Sequence, residues 1–209
     1  MTETSTTSAT YDQIAADYAA CWADKADPMV AARQRFAARL APGARVLDVG
    51  CGPGRDTAEL RALGLSACGV DRSRGMLAQA RQRGQLPLML GDMRHLPVPD
   101  GALDALWCCA AFLHIPKRDS PAVLHEFRRA LRHGGTLYLS VKQGDGERWH
   151  SSEYGLQRFF AFYQPGELDE LLSSAGFAIA ESWTDADSLG RPEAWLSRIA
   201  AEVVEGGVL

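Results

Sequence analysis

At 209 residues, with 46% hydrophobic and 23% charged residues, the chain has the length and composition of one ordinary globular domain. A formal net charge of −4 argues against a polyanion such as nucleic acid as its partner, and no apolar run approaches the roughly 20 residues of a membrane helix. Five cysteines, none in C-x-x-C spacing, give no metal or redox motif and fit a reduced, cytoplasmic setting.

Residues 1–10 are rich in Thr and Ser with no apolar stretch, and read as a disordered polar leader rather than a signal peptide. The folded domain is expected over 11–209. Two helices are expected across 11–40, the first with Ile14, Tyr18 and Trp22 along one face, the second restarted by Pro28 and stopped at Pro42-Gly43. The period then changes. Arg45 to Val49 is a short apolar run ending in glycines, the signature of a buried parallel strand. A helix follows from Arg55 to Leu63, stopped by Gly64. The unit repeats with a strand at Ser66 to Val70 and a helix capped by Ser73. A third strand is expected at Leu86 to Leu90 and a fourth at Leu103 to Cys109. A helix near Ser120 to Leu131 has Pro121 in its first turn, and Thr136 to Val141 forms strand five. After a helix at Pro165 to Ala175, two strand-like stretches, Phe177 to Trp183 and Trp195 to Ala201, have no helix between them and suggest an antiparallel hairpin. Strands alternating with helices imply a doubly wound α/β sheet with helices on both faces.

In such a sheet, ligands bind beyond the carboxyl ends of the strands. The first strand ends in Asp48-Val49-Gly50-Cys51-Gly52-Pro53-Gly54. Glycines at alternate positions let the backbone turn sharply and approach a ligand with no Cβ in the way, and the next helix aims its free N–H groups at the same place. A plain strand-to-helix turn would need one such glycine or two. The nicotinamide fingerprint G-x-G-x-x-G would place a third glycine at position 55, where the chain has Arg55. Asp71, at the end of strand two, is placed to accept from ribose hydroxyls, a role common to nicotinamide and adenosyl cofactors.

The ordered series Val46 to Gly54, then Asp71, then Gly91-Asp92-Met93 resembles the motifs of class I methyltransferases that use S-adenosylmethionine (SAM). The resemblance runs from about Tyr11 onward, and its strength lies in the order of the set rather than in any member. It implies a single Rossmann-like sheet of seven strands in the order 3-2-1-4-5-7-6, the seventh antiparallel. It also implies that Asp48, Gly50, Cys51, Gly52 and Gly54 lie under the methionine part of SAM and that Asp71 holds the ribose. Asp92 would take the adenine amino group and the Met93 backbone the ring nitrogen, with Arg72 and Met76 as neighbouring contacts. A carboxylate just past strand three suits an exocyclic amine donor.

Leu103 to Pro116 (LDALWCCAAFLHIP) resembles the fourth strand and active-site floor of that family, so Cys109 and Ala110 would face the sulfonium and its methyl group. His114 would orient the nucleophile or take its proton; the alternative is a packed histidine. Residues 11–40 look like the lid helices of the family, with Tyr11 and Tyr18 over the cofactor, or else a plain amphipathic pair. Arg33 is a further candidate for the cofactor's carboxylate, or else a solvated helix charge. Residues 142–163 follow strand five, where the family hangs its substrate-specific elements. Lys142, Trp149, Phe160 and Tyr163, with His114, are the candidate acceptor contacts. The places of the family's magnesium ligands read Cys108-Cys109 and Lys142-Gln143, so no metal is expected.

The expected activity is transfer of a methyl group from SAM to an N, O, S or C atom of a small molecule, leaving S-adenosylhomocysteine, by a monomer or homodimer with no membrane or nucleic-acid partner. The rivals are a tRNA or protein methyltransferase, a nicotinamide-dependent oxidoreductase, and a SAM-binding subunit without catalysis.

Overall fold

The computed structural model of the chain describes residues 2–22, 26–151, 155–188, 190 and 192–203. Nine strands and six helices follow in the order α1 (Glu3–Cys21), α2 (Val30–Ala37), β1 (Arg45–Val49), α3 (Arg55–Ala62), β2 (Ser66–Asp71), α4 (Arg74–Arg81), β3 (Leu88–Leu90), β4 (Leu103–Cys109), α5 (Ser120–Ala130), β5 (Leu131–Lys142), β6 (Glu147–Ser151), β7 (Gln157–Ala161), α6 (Pro165–Ser174), β8 (Phe177–Asp185) and β9 (Trp195–Glu202). One 3-10 turn, Phe112–His114, follows β4.

Seven strands form one sheet in the order β3-β2-β1-β4-β5-β9-β8. The first five pair in parallel, and β9 runs antiparallel to both β5 and β8. With β8 and β9 as sixth and seventh strands of the sheet, this is the order expected from the sequence. The remaining pair, β6 and β7, is a separate antiparallel hairpin that the sequence pattern did not announce.

The sheet is covered on both faces because its central strands are apolar on both. Alternation along β4 shows how. Leu106 and Cys108 face the core beneath α5 and α6, with Val123, Leu124, Phe127, Leu168 and Leu172. Ala105 and Trp107 face the other layer, with Phe36 of α2, Leu60 of α3 and Tyr138 of β5. The Trp107 ring stacks on Tyr138 at 3.8 Å between centroids, Phe36 meets its edge, and its indole N–H is donated to Asp56 at 2.9 Å. On α6, Leu168 and Leu172 stand one turn apart and are fully buried, each contributing about 1.5–3 kcal/mol.

Two expectations need correction here. The supposed leader is helical: α1 begins at Glu3, capped by the Thr2 hydroxyl, which accepts from Ser5 N–H. Its stripe is polar. Thr4, Thr7 and Thr10 recur every third residue and are all buried. Thr10 Oγ1 donates to the Gln157 carbonyl (2.6 Å), while Thr7 Oγ1 accepts from Phe159 N–H (2.9 Å), so α1 docks on the edge of β7 through hydroxyls. A search for apolar periodicity passes over such a stripe. Arg33, for its part, is buried rather than solvated, and its guanidinium joins Asp27 and Asp56.

Among the described residues, no helix is long and apolar enough to cross a membrane.

Candidate active site

A cavity of about 900 Å³ opens at the carboxyl ends of β1, β2, β4 and β5, roofed by α1. The residues around it fall into two halves, one on each side of the turn after β4.

The first half is built by the turn after β1. Gly50 has φ +72, and a Cβ there would lie 2.3 Å from Ala111 Cβ, so only glycine lets the β1 and β4 loops touch. Gly52 N–H is donated to Asp71 Oδ2 (2.8 Å) and Ser73 N–H to Asp71 Oδ1 (2.7 Å). Each oxygen of Asp71 keeps a further lone pair toward the cavity. Burial pushes its carboxyl above the ordinary range, against the pull of those N–H groups. Asp48 is more deeply enclosed, accepts from the Thr57 hydroxyl (2.6 Å), and is raised further by burial and by the charge of Asp56. Both acids sit where a ligand offering hydroxyl or amino donors would relieve them.

Asp92 lies across the same floor. Burial raises its carboxyl, but Arg94 outweighs that and holds it below the ordinary range. Arg94 N and Nε both reach Oδ1, Nη2 reaches Oδ2 at 2.6 Å, and Arg72 stands 3.3 Å from Oδ2. An amine meeting Asp92 therefore has Oδ2 to use. Met93, Arg72, Met76 and Cys51 also line the cavity, as do Tyr18 and, against His114, Tyr11. Asp12 fixes the roof, accepting from Ser73 Oγ (2.7 Å) and Gly75 N–H (2.8 Å) at the start of α4.

Gly54 does not join this group. It caps α3 at φ +76 outside the lining, and a Cβ there would meet Ala80 Cβ at 2.9 Å, so its glycine serves helix packing. Its neighbour Arg55, which the sequence reading used only to reject a dinucleotide fingerprint, does line the cavity. Its guanidinium lies over the Trp22 ring, and its Nη1 is buried with no hydrogen-bond partner.

Between the halves, β4 ends at Cys109 and Ala110. Ala110 has φ +53, a conformation costing an L-residue about 1–2 kcal/mol, and its N–H is donated to Ser140 Oγ at 3.0 Å. Both residues line the cavity, and burial drives the Cys109 thiol well above its usual range, so it is an uncharged wall.

His114 closes the turn. Its Nδ1 lies 2.7 Å from the Phe159 carbonyl, which can only accept, so the proton is on Nδ1. Nε2, 2.9 Å from Tyr11 Oη, then accepts from the phenol. Burial lowers the imidazole to about 4, so it is neutral across the physiological range. A proton-accepting role centred near pH 7, the usual histidine range, does not fit this environment.

The second half is framed by the β6–β7 hairpin and the loop before β9. Strand alternation decides which side chains face inward. His150, Arg158 and Phe160 line the cavity, whereas Trp149 is turned outward, 41% exposed against Phe159. Trp149 is therefore no part of the pocket. Nor is Tyr163, which is buried under α5 with its phenol 2.8 Å from Ser120 Oγ. Lys142 does line the cavity, buried beside Glu193 (3.4 Å) and Asp187 (3.9 Å) and under the Trp195 ring. Asp187, Glu193, Trp195 and Arg158 were not among the residues singled out, and His150 was read only as part of the aromatic 142–163 segment. Arg158 shares that segment and its aromatic neighbours; Asp187, Glu193 and Trp195 come from a loop and a strand start whose direction the sequence does not encode. Among the described residues, no group of three or more His, Cys, Asp or Glu side chains could hold a metal ion.

Comparison with known proteins bears on this arrangement. The methyltransferase-domain family matches residues 46–135, which hold the glycine turn, Asp71, Asp92 and the whole β4 loop. Residues 46–135 thus match a methyltransferase domain, and the chain is similar to S-adenosylmethionine-dependent methyltransferases of class I. It is 35% identical to the methyltransferase GfsG of Streptomyces halstedii over 135 residues, 57% of this chain and 48% of that protein. To the malonyl-[acyl-carrier protein] O-methyltransferase of Dechloromonas aromatica it is 33% identical over 168 residues, 73% of this chain and 61% of that one. The chain thus spans about half the length of these relatives. Among solved structures, the 1,6-didemethyltoxoflavin N1-methyltransferase of Burkholderia thailandensis superposes with a TM-score of 0.78 at 24% identity, covering 96% of this chain and 88% of that one. That likeness establishes the class I fold.

Proposed function

We propose that the chain transfers a methyl group from SAM to a small-molecule acceptor. The observation that carries this reading is the union, in one cavity, of a glycine turn with two accepting carboxylates and a second, aromatic and basic chamber, meeting at the tight β4 turn. The solved structure from Burkholderia thailandensis holds both 1,6-didemethyltoxoflavin and S-adenosylhomocysteine, which supports a two-chamber arrangement here.

The first half fits SAM. Asp71 offers lone pairs to the ribose hydroxyls and Asp92 Oδ2 to the adenine amine, while Gly52 leaves open space for the methionine chain beside Gly50 and Cys51. Arg55, with its unpartnered Nη1, is the cation placed for the cofactor's carboxylate. SAM supplies a methyl group activated by its sulfonium, so the protein needs few reactive groups. What it contributes is orientation and the exclusion of water. Cys109 and Ala110 form a small wall that admits a straight approach, and α1 covers the cavity. His114, neutral and protonated on Nδ1, accepts from the Tyr11 phenol and so positions Tyr11 at the junction of the two chambers.

The acceptor chamber, with Lys142, Phe160, His150 and His114 around it, suits a molecule of modest size rather than a nucleic acid or a protein surface. The reading is metal-independent, since β4 and β5 end at Cys109 and Lys142 rather than at an acidic cluster. A cytoplasmic setting fits the free thiols of Cys51, Cys68, Cys108 and Cys109. Calorimetry tests the reading: SAM and S-adenosylhomocysteine should bind saturably and NADH and NADPH should not. Tight nicotinamide binding without SAM binding would overturn it.

A further inference from the structure

The charges on the acceptor side are unevenly matched. Lys142 and Arg148 both meet Glu193, at 3.4 and 3.1 Å, and Lys142 also has Asp187. Arg158, which stands on β7 and lines the cavity, forms no ion pair with any described residue. Its guanidinium lies 5.6 Å from the Tyr11 ring centre and 5.5 Å from that of Phe160. Nη1 reaches Tyr11 Oη at 3.4 Å, while Nε is shut off from solvent with no acceptor among the described residues. A buried guanidinium N–H without an acceptor is costly, by about 1–3 kcal/mol, and a protein keeps one where a ligand completes it.

Resting on the two-chamber reading above, we propose that Arg158 recognises a carboxylate on the acceptor molecule. The chemistry follows from which edge is available. With Nη1 turned to Tyr11, the Nε–Nη2 edge remains, and that edge presents two parallel N–H groups at the spacing of a carboxylate's oxygens. The aromatic rings beside it exclude water and strengthen such a pair. The carboxylate is a handle and not the methylated atom, because both its oxygens face the guanidinium. SAM carries a carboxylate too, but Arg55 already stands beside the glycine turn with an unpartnered Nη1, whereas Arg158 shares Tyr11 with His114 on the far side of the β4 turn.

The test uses benzoate as the probe and benzamide as its uncharged counterpart, titrated by NMR into the full chain with and without S-adenosylhomocysteine. Benzoate should bind roughly tenfold more tightly than benzamide. Arg158→Gln should erase that preference and leave S-adenosylhomocysteine affinity within about twofold. Arg158→Lys, which keeps the charge and loses the fork, should retain only part of the preference and serves as the deciding variant if the glutamine form does not fold. Equal binding of the two probes, or a preference that survives in both variants, overturns the proposal. So does a tenfold loss of S-adenosylhomocysteine affinity in Arg158→Gln, which would make Arg158 the clamp of the cofactor's carboxylate. Displacement of benzoate by inorganic phosphate at lower concentration would also overturn it, by assigning the site to phosphorylated acceptors. Failure of the wild-type chain to bind S-adenosylhomocysteine strikes the methyl-donor reading instead, and the probe titration without it still reads Arg158.

Discussion

On the donor side of the cavity, the carboxylates that face a ligand are held by near neighbours in sequence, although Asp12 of α1 also ties the roof to α4. Asp71 is fixed by the N–H groups of Gly52 and Ser73, 19 and 2 residues away. On the acceptor side, Arg158 reaches Tyr11 across 147 residues, and the Phe159 carbonyl takes His114 across 45. The first set is a property of one strand-turn-helix unit and its neighbour. The second exists only once α1 has docked on the hairpin through its threonine hydroxyls. A family can therefore keep the donor half while the acceptor half is rebuilt, since a changed hairpin leaves the glycine turn untouched.

The sharpest way to break the donor half is Gly50→Ala. A Cβ would come within 2.3 Å of Ala111 Cβ at a backbone φ of +72, so loop clash and strain add. A loss of about 3 kcal/mol or more in stability is expected, with S-adenosylhomocysteine binding lost or reduced beyond a hundredfold. Denaturant unfolding and calorimetry check both.

A smaller effect probes the junction. The folded imidazole of His114 titrates near 4, against 6.5 when unperturbed. Between those values the unfolded chain binds a proton that the folded chain refuses, so this contribution is fully present above pH 6.5 and lost as pH falls toward 4. Its size is on the order of 1–3 kcal/mol. Thermal melts from pH 7.5 to 4.5 should show the wild type losing stability more steeply than His114→Gln. Parallel curves would mean that His114 is not held neutral by burial.

Least is expected of Trp149→Ala. The side chain is 41% exposed on the outer face of the hairpin, and its loss should change acceptor turnover and SAM affinity by less than about 0.5 kcal/mol. A tenfold loss of turnover would return Trp149 to the pocket.

The same contrast explains what could be read beforehand. The parallel strands, the glycine turn and the place of Asp71 were legible because buried parallel strands and left-handed turns leave local marks, unbroken apolar runs and glycines at fixed spacing; the strand order and Asp92 came with the resemblance to the methyltransferase family. Gly54 was over-read, since a glycine in a cofactor turn also serves helix packing against Ala80. In the 142–163 segment the aromatic content was visible but its facing was not. Without knowing that residues 147–151 and 157–161 pair as strands, nothing separates inward His150 and Phe160 from outward Trp149. The start of α1 was missed because its buried stripe is Thr4, Thr7 and Thr10, whose hydroxyls serve a strand edge distant in sequence.

The separability of the two halves is tested most directly by S-adenosylhomocysteine calorimetry on Asp71→Ala and Phe160→Ala in one series. Asp71→Ala removes a carboxylate that fixes the glycine turn and should weaken binding by about 1.5–3 kcal/mol, ten- to more than a hundredfold. Phe160→Ala should leave it within about twofold, under 0.5 kcal/mol, while acceptor turnover falls. If Phe160→Ala lost S-adenosylhomocysteine affinity as severely as Asp71→Ala, the hairpin would be part of the cofactor site and the division of the cavity would be wrong.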